Sequence, residues 1–125
     1  MSDGSAARPL PAWPFIARPR SGSPGTFDVH VPADLAYFQG HFPGEPILAG
    51  VVQIELVLEH VALTWPELAR LATVRRLRFR RPIRPGDDLE LAVERSAPER
   101  VDFEITRQGA RCSSGTLEFR LPAPP

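Results

Sequence analysis

A histidine, His41, and a carboxylate, Glu55, stand 14 positions apart in the segment YFQGHFPGEPILAGVVQIELVLEH, residues 37–60. A neutral imidazole accepts a proton near pH 7 without large tuning. The loop GHFPGEP around His41 is stiffened by Pro43 and Pro46, which suits holding one side chain in one geometry. The same composition also suits a structural histidine satisfied by a backbone partner. Glu55 shares a helical-wheel edge with Val51, Leu58 and Ala62. A carboxyl in apolar surroundings tends to hold its proton and can serve as a general acid; the plain alternative is a solvent-facing residue beside Glu59. A base and a protonated acid that converge on one pocket suit proton abstraction at one carbon with expulsion of hydroxide from the next. Gly50 and Val51 begin the apolar segment. Backbone N–H groups at a helix start can hold a developing negative oxygen, and a glycine lets a substrate come close; the junction is equally a plain loop-to-helix boundary.

Other candidates are weaker. Cys112 lies in an expected strand and reads as a small packed residue. Ser113 and Ser114 lack the G-x-S-x-G context of a nucleophile elbow. His30, His41 and His60 show no recognised metal spacing, and no Gly-rich phosphate loop is present, so neither a metal nor another cofactor is expected. Seven arginines fall between Arg70 and Arg84, Arg76, Arg78 and Arg80 among them. This run is either a solvated strand face or a docking patch for an acidic partner or phosphate group.

The chain of 125 residues has 15 basic and 15 acidic side chains and a net charge of zero, which argues against a general nucleic-acid binder. All the basic residues are arginine. One cysteine permits no intrachain disulfide and suits a reducing compartment. No secretory signal is legible at the N-terminus, and no run reaches the roughly 18 apolar residues of a membrane span. The expectation is a cytoplasmic, single-domain protein over residues 1–125, with 1–12 and 122–125 flexible.

The elements that would position these residues can be read from period and punctuation. WPFI (13–16) is either a short first strand or a hydrophobic plug. TFDVHVP (26–32) alternates like a half-buried strand, and Asp34 reads as an N-cap for one turn over LAYF. From Gly50 to about Leu63 nothing breaks the chain, and a run of about 12 or more residues is long for a strand, so a helix is expected. Its apolar residues cover most of the wheel, with Glu55 and Glu59 on one narrow edge and Gln53 and His60 on another. That pattern predicts a buried helix. Residues 72–83 place Leu77 and Phe79 on one strand face and Arg76, Arg78 and Arg80 on the other. Residues 89–96, 100–107 and 110–121 follow as strands joined by short turns. The expected architecture is α+β, with an antiparallel sheet wrapped around one long helix.

The segment GHFPGEPILAGVVQIE resembles the signature of the bacterial 3-hydroxyacyl-acyl-carrier-protein dehydratases of the hot-dog fold. A second block, LRFRRPIRPGDDLEL (77–91), resembles that family's F-R-x-P-V-x-P-G-D-x-L stretch. The likeness spans about residues 26–121 and is nearest to the branch tied to aryl polyene and related pigment or polyketide pathways. It implies that His41 is the base removing a C2 proton and Glu55 the acid protonating the departing C3 hydroxyl. The Gly50 or Val51 N–H would hold the thioester carbonyl, and Phe42 would join them in binding substrate. In the family the two catalytic residues of one site come from different subunits, which implies a homodimer or a larger assembly. An acidic carrier protein would give the arginine run a partner. Ala49, Leu48 and Glu59 depart from the usual Pro, Met and Gln, and PAWPF stands for P-H-R-Y-P-F, all of which favours a specialised pathway over housekeeping fatty-acid elongation. The competing readings are a hot-dog thioesterase using Glu55 or Glu59 to activate water, and a non-catalytic acyl-binding subunit.

Overall fold

The computed structural model describes residues 15–33 and 47–122. The expected turn after Asp34 and the whole GHFPGEP loop, with His41 and Phe42, lie outside these residues, as do residues 1–12. Two short strands, β1 (Ile16–Pro19) and β2 (Thr26–His30), precede the helix α1 (Gly50–Thr64). Four longer strands follow: β3 (Leu71–Phe79), β4 (Asp88–Ala97), β5 (Arg100–Arg107) and β6 (Ala110–Phe119). They form one antiparallel six-stranded sheet in the order β1-β2-β4-β5-β6-β3. Of the WPFI segment only residues 15 and 16 are described: Phe15 is buried and Ile16 opens a strand.

Strict alternation aims the sheet at the helix. Leu89, Leu91 and Val93 of β4, Val101, Phe103 and Ile105 of β5, and Leu117 and Phe119 of β6 are buried in one apolar cluster. The helix contributes Val52, Leu56, Val57 and Val61 to that cluster, so the core is the single layer between α1 and the sheet. Its two other buried residues are the polar pair Gln53 and His60. His60 donates from Nδ1 to the Leu56 carbonyl at 2.9 Å and meets the Phe27 ring edge-on at 4.6 Å between centroids. The polar wheel edge therefore faces the sheet, and each member satisfies at least one of its polar groups on the helix backbone or the segment before it.

The expectation of a helix buried all round is corrected by one fact of layering. A single sheet covers one face, and the opposite face of α1 carries exposed Val51, Glu55, Glu59, Ala62 and Leu63. The strand β3 also departs from simple alternation. It is an edge strand, exposed over almost its whole length, and its pairing with β6 shifts between Arg75 and Arg78. Arg76 takes φ 55° at that bulge, so it does not share a regular face with Arg78 and Arg80. A bulge adds one residue to one strand and re-aims its neighbours, which a period-2 reading does not register.

Two loops fasten the ends of this layer. Leu48 N–H donates to Ile83 O at 2.8 Å, tying the entry of α1 to the segment after β3. Asp87 accepts from Arg84 N–H and from Arg107 Nη1, each at 2.8 Å, which closes the RPGDD turn. Ahead of β2, Gly25 has φ +80° and packs on β4, where Val93 N–H donates to its carbonyl at 2.8 Å. A Cβ there would stand 2.4 Å from Val93 O. Gly25→Ala should therefore lose roughly 1–3 kcal/mol from backbone strain alone and more from the contact; a urea midpoint equal to wild type would contradict this packing.

Candidate active site

The first turn of α1 is built to leave donors free. Its N-cap is Ala49, in extended backbone and with no side-chain cap, and no acidic residue lies in the first turn. The N–H groups of Val52 and Gln53 both turn to Ala49 O, at 3.1 and 3.2 Å. The N–H groups of Gly50 and Val51 have no partner among the described residues. Uncapped amides at the positive end of the helix dipole can receive a negative oxygen. The Phe79 ring lies against Gly50 so closely that a Cβ at Gly50 would meet its Cζ at 2.7 Å. Glycine thus lets the edge strand close over the helix start.

Glu55 follows one turn later on the uncovered face. It is exposed, in line with Val51 at 68% exposure and Ala62, with the half-buried Leu58 between. The apolar neighbours expected from the wheel, Val51, Leu58 and Ala62, adjoin it, and they stand on a face the sheet does not reach. Glu55 and Glu59 have no hydrogen bond or ion pair among the described residues. Gly50, Val51 and Glu55 are therefore brought together along two turns of one helix, while His41 and Phe42 belong to the loop outside the described residues.

Of the basic patch, Arg76, Arg78 and Arg80 are all exposed and none forms an ion pair among the described residues. Their neighbour Arg75 instead bonds Glu118 at 3.1 Å, with Arg100 on the same carboxylate at 3.6 Å. Unpaired arginines on and beside an edge strand are available to a partner or simply solvated.

Sequence reasoning missed two residues of this region. Phe79 was read only as a face residue of β3, and its contact with Gly50 depends on the pairing of β3 with β6. Gln53 was visible only as a polar mark on the wheel, yet it lines a cavity of ≈ 390 Å³ at the start of α1 with Leu48, Gly50, Phe79, Arg80 and Arg81. The cavity joins the uncapped helix start to the arginine-bearing end of β3.

Residues 19–116 match the model of the ApeI-like family, described as ApeI dehydratase. A 3-hydroxyacyl-[acyl-carrier-protein] dehydratase FabZ of Desulfotalea psychrophila is 45% identical over 58% of this chain and 55% of its own length. A FabZ of Thermus thermophilus is 39% identical over 68% of each chain. The chain spans about half the length of the first of the curated relatives it matches. Among solved structures, the dehydratase heterocomplex ApeI:P from Xenorhabdus doucetiae aligns with a TM-score of 0.69 at 24% identity, over 86% of this chain and 100% of that one. The smu.793 protein from Streptococcus mutans, bound to acetyl CoA, aligns at 0.57 and 12% identity, over 96% and 100%. The expected α+β hot-dog fold is thus the fold observed.

Cys112 is fully buried and burial pushes its thiol above the ordinary range, so it is a packing residue and not a nucleophile. It should react with a disulfide reagent at pH 8 on the order of 100-fold more slowly in the native protein than in denaturant. Equal rates would contradict its place in the core.

Proposed function

The chain belongs to the ApeI-like dehydratase family, and we propose that it removes water from a 3-hydroxyacyl thioester to give the trans-2-enoyl thioester. The substrate is carried on acyl carrier protein, in a fatty-acid-like, aryl polyene or polyketide pathway of the cytoplasm. The observation that carries this reading is the placement of Glu55 one turn beyond two unpartnered amides on an open helix face, in a chain whose residues 19–116 match a dehydratase family.

The roles follow from the chemistry. His41 takes the C2 proton, and the electron pair moves toward the thioester carbonyl. The Gly50 and Val51 N–H groups receive the charge that develops on that oxygen, and Phe42 packs against the acyl group. Glu55 acts as the acid and gives a proton to the C3 hydroxyl, which leaves as water. The proton on His41 then returns to Glu55 through solvent. A general acid of this kind needs dry surroundings. We place a second copy of the chain over the stripe of Val51, Glu55, Ala62 and Leu63, which would supply them. The exposed Leu71, Leu77 and Phe79 of edge strand β3 add apolar area to the same requirement. In that dimer each site takes His41 from one copy and Glu55 from the other. The likeness to an ApeI:P heterocomplex makes a related but different chain the competing occupant. Arg76, Arg78 and Arg80 would meet the acidic carrier protein. A hot-dog thioesterase would use the same exposed Glu55 or Glu59 to activate water, and a non-catalytic acyl-binding subunit would need neither residue.

A defined 3-hydroxyacyl carrier substrate separates these readings by mass. Dehydration removes water from the acyl chain, a thioesterase removes the whole chain, and a binding subunit leaves it intact. His41→Ala and Glu55→Gln should each lower kcat by about 100-fold or more; wild-type rates in either variant would rule out the two-residue mechanism. Val51→Asp with Leu63→Asp should give a folded monomer by light scattering, and an unchanged assembly would move the interface elsewhere. Arg78→Glu with Arg80→Glu should weaken carrier-protein binding most at low salt; unchanged binding would return the row to solvent.

A further inference from the structure

The side chain of Gln53 is held at one end only. It is 4% exposed, and its Nε2 donates to Leu48 O at 3.2 Å. A carbonyl oxygen only accepts, so the atom facing Leu48 must be the amide nitrogen and the orientation of the side chain is determined. Oε1 then points away, is itself buried, and has no partner among the described residues. A buried acceptor left unpaired is costly, and native structures rarely keep one without a use.

The surroundings of this atom suggest what it is for. Gln53 lines the ≈ 390 Å³ cavity at the helix start together with Gly50 and the outer wall of Arg80 and Arg81. Those two arginines are exposed, and neither reaches Oε1. The remaining lining is apolar: Ile47, Leu48, Ala49, Phe79 and Pro82. A second buried oxygen without a partner, Ser113 Oγ, sits on β6 at the register position opposite Phe79. Register partners in an antiparallel pair point to the same side of the sheet, so Ser113 faces the helix as Phe79 does.

We propose that Gln53 is a specificity-determining residue, whose Oε1 accepts a hydrogen bond from a donor on the thioester substrate. The inference rests on the dehydratase reading above and deepens it. The donor is a hydroxyl on the acyl chain beyond C3 or an amide N–H of the pantetheine arm. A site built to pair a donor discriminates strongly against an analogue that lacks it, because the buried acceptor then stays unpaired. An apolar pocket of the same size would not.

Three substrates test this with the wild-type chain and Gln53→Met, which keeps the volume and removes the acceptor. Two are 3-hydroxyacyl pantetheine thioesters of equal length, ending in a hydroxyl or in a methyl group. The third carries the methyl-ended chain on a plain alkanethiol without amides. Wild type should favour either the hydroxyl-ended chain over its methyl twin, or the pantetheine over the alkanethiol ester, by about tenfold in kcat/KM. The first result places the donor on the chain and the second on the arm. Gln53→Met should bring the affected ratio close to parity while turning over the substrate that lacks the donor. Both ratios unchanged in Gln53→Met would overturn the inference and mark Oε1 as the partner of a structural water. Should Gln53→Met fail to fold, the wild-type ratios decide, and parity in both overturns the inference. No turnover of any substrate by wild type would instead remove the dehydratase reading itself, and this inference with it.

Discussion

The helix α1 carries more apolar surface than one sheet can cover. Leu56, Val57 and Val61 are fully buried against the sheet, yet Val51 and Leu63 on the opposite side remain about two-thirds exposed. No longer helix or second sheet layer is present among the described residues to close that side. Burial of apolar area is the main favourable term in folding and association, so covering this stripe would be favourable. Glu55 stands in the middle of that stripe. Its setting, and its chemistry with it, therefore depends on what covers that stripe.

The two faces of α1 differ in what they present. The open face presents Glu55 and, through the first turn, the amides of Gly50 and Val51. The covered face holds Gln53 and His60 against the sheet, each fixed by a bond to a backbone carbonyl. Ala49 as an uncapped N-cap is a weakness for the helix alone, since a Ser or Asp there would stabilise it by about 1 kcal/mol. It is consistent with a helix start whose donors are kept for a ligand. The anchoring of Leu48 on Ile83 and the turn closed by Asp87 hold that start in place from the far end of the sheet. The second sequence block, residues 77–91, thus supports the first one mechanically.

Much of this was legible because short-range rules decide it. The alternation of Leu89, Leu91 and Val93, and of Val101, Phe103 and Ile105, identifies strands and their inner face without ambiguity. The unbroken run from Gly50 identifies the helix by length where the abundance of Val argued for a strand. What was not legible depends on long-range pairing. Arg76 lies at a bulge that exists only because β3 pairs with β6 in a shifted register. Phe79 meets Gly50 across that same pairing. Glu55 was expected among apolar neighbours, and the wheel was right about which residues adjoin it; whether the sheet covers them is a property of layers, which no wheel contains. The orientation of Gln53 followed only from the position of the Leu48 carbonyl.

The central claim is that the open face of α1 is completed by a second copy, so that each site draws His41 and Glu55 from different chains. Co-expression of His41→Ala with Glu55→Gln tests it most directly, through the dehydration rate of the mixed population against each variant alone. Random pairing makes half the dimers mixed, each with one intact site of two, so the account predicts about a quarter of wild-type activity from two inactive parents. A mixture that contains verified mixed dimers and stays as inactive as its parents would contradict it.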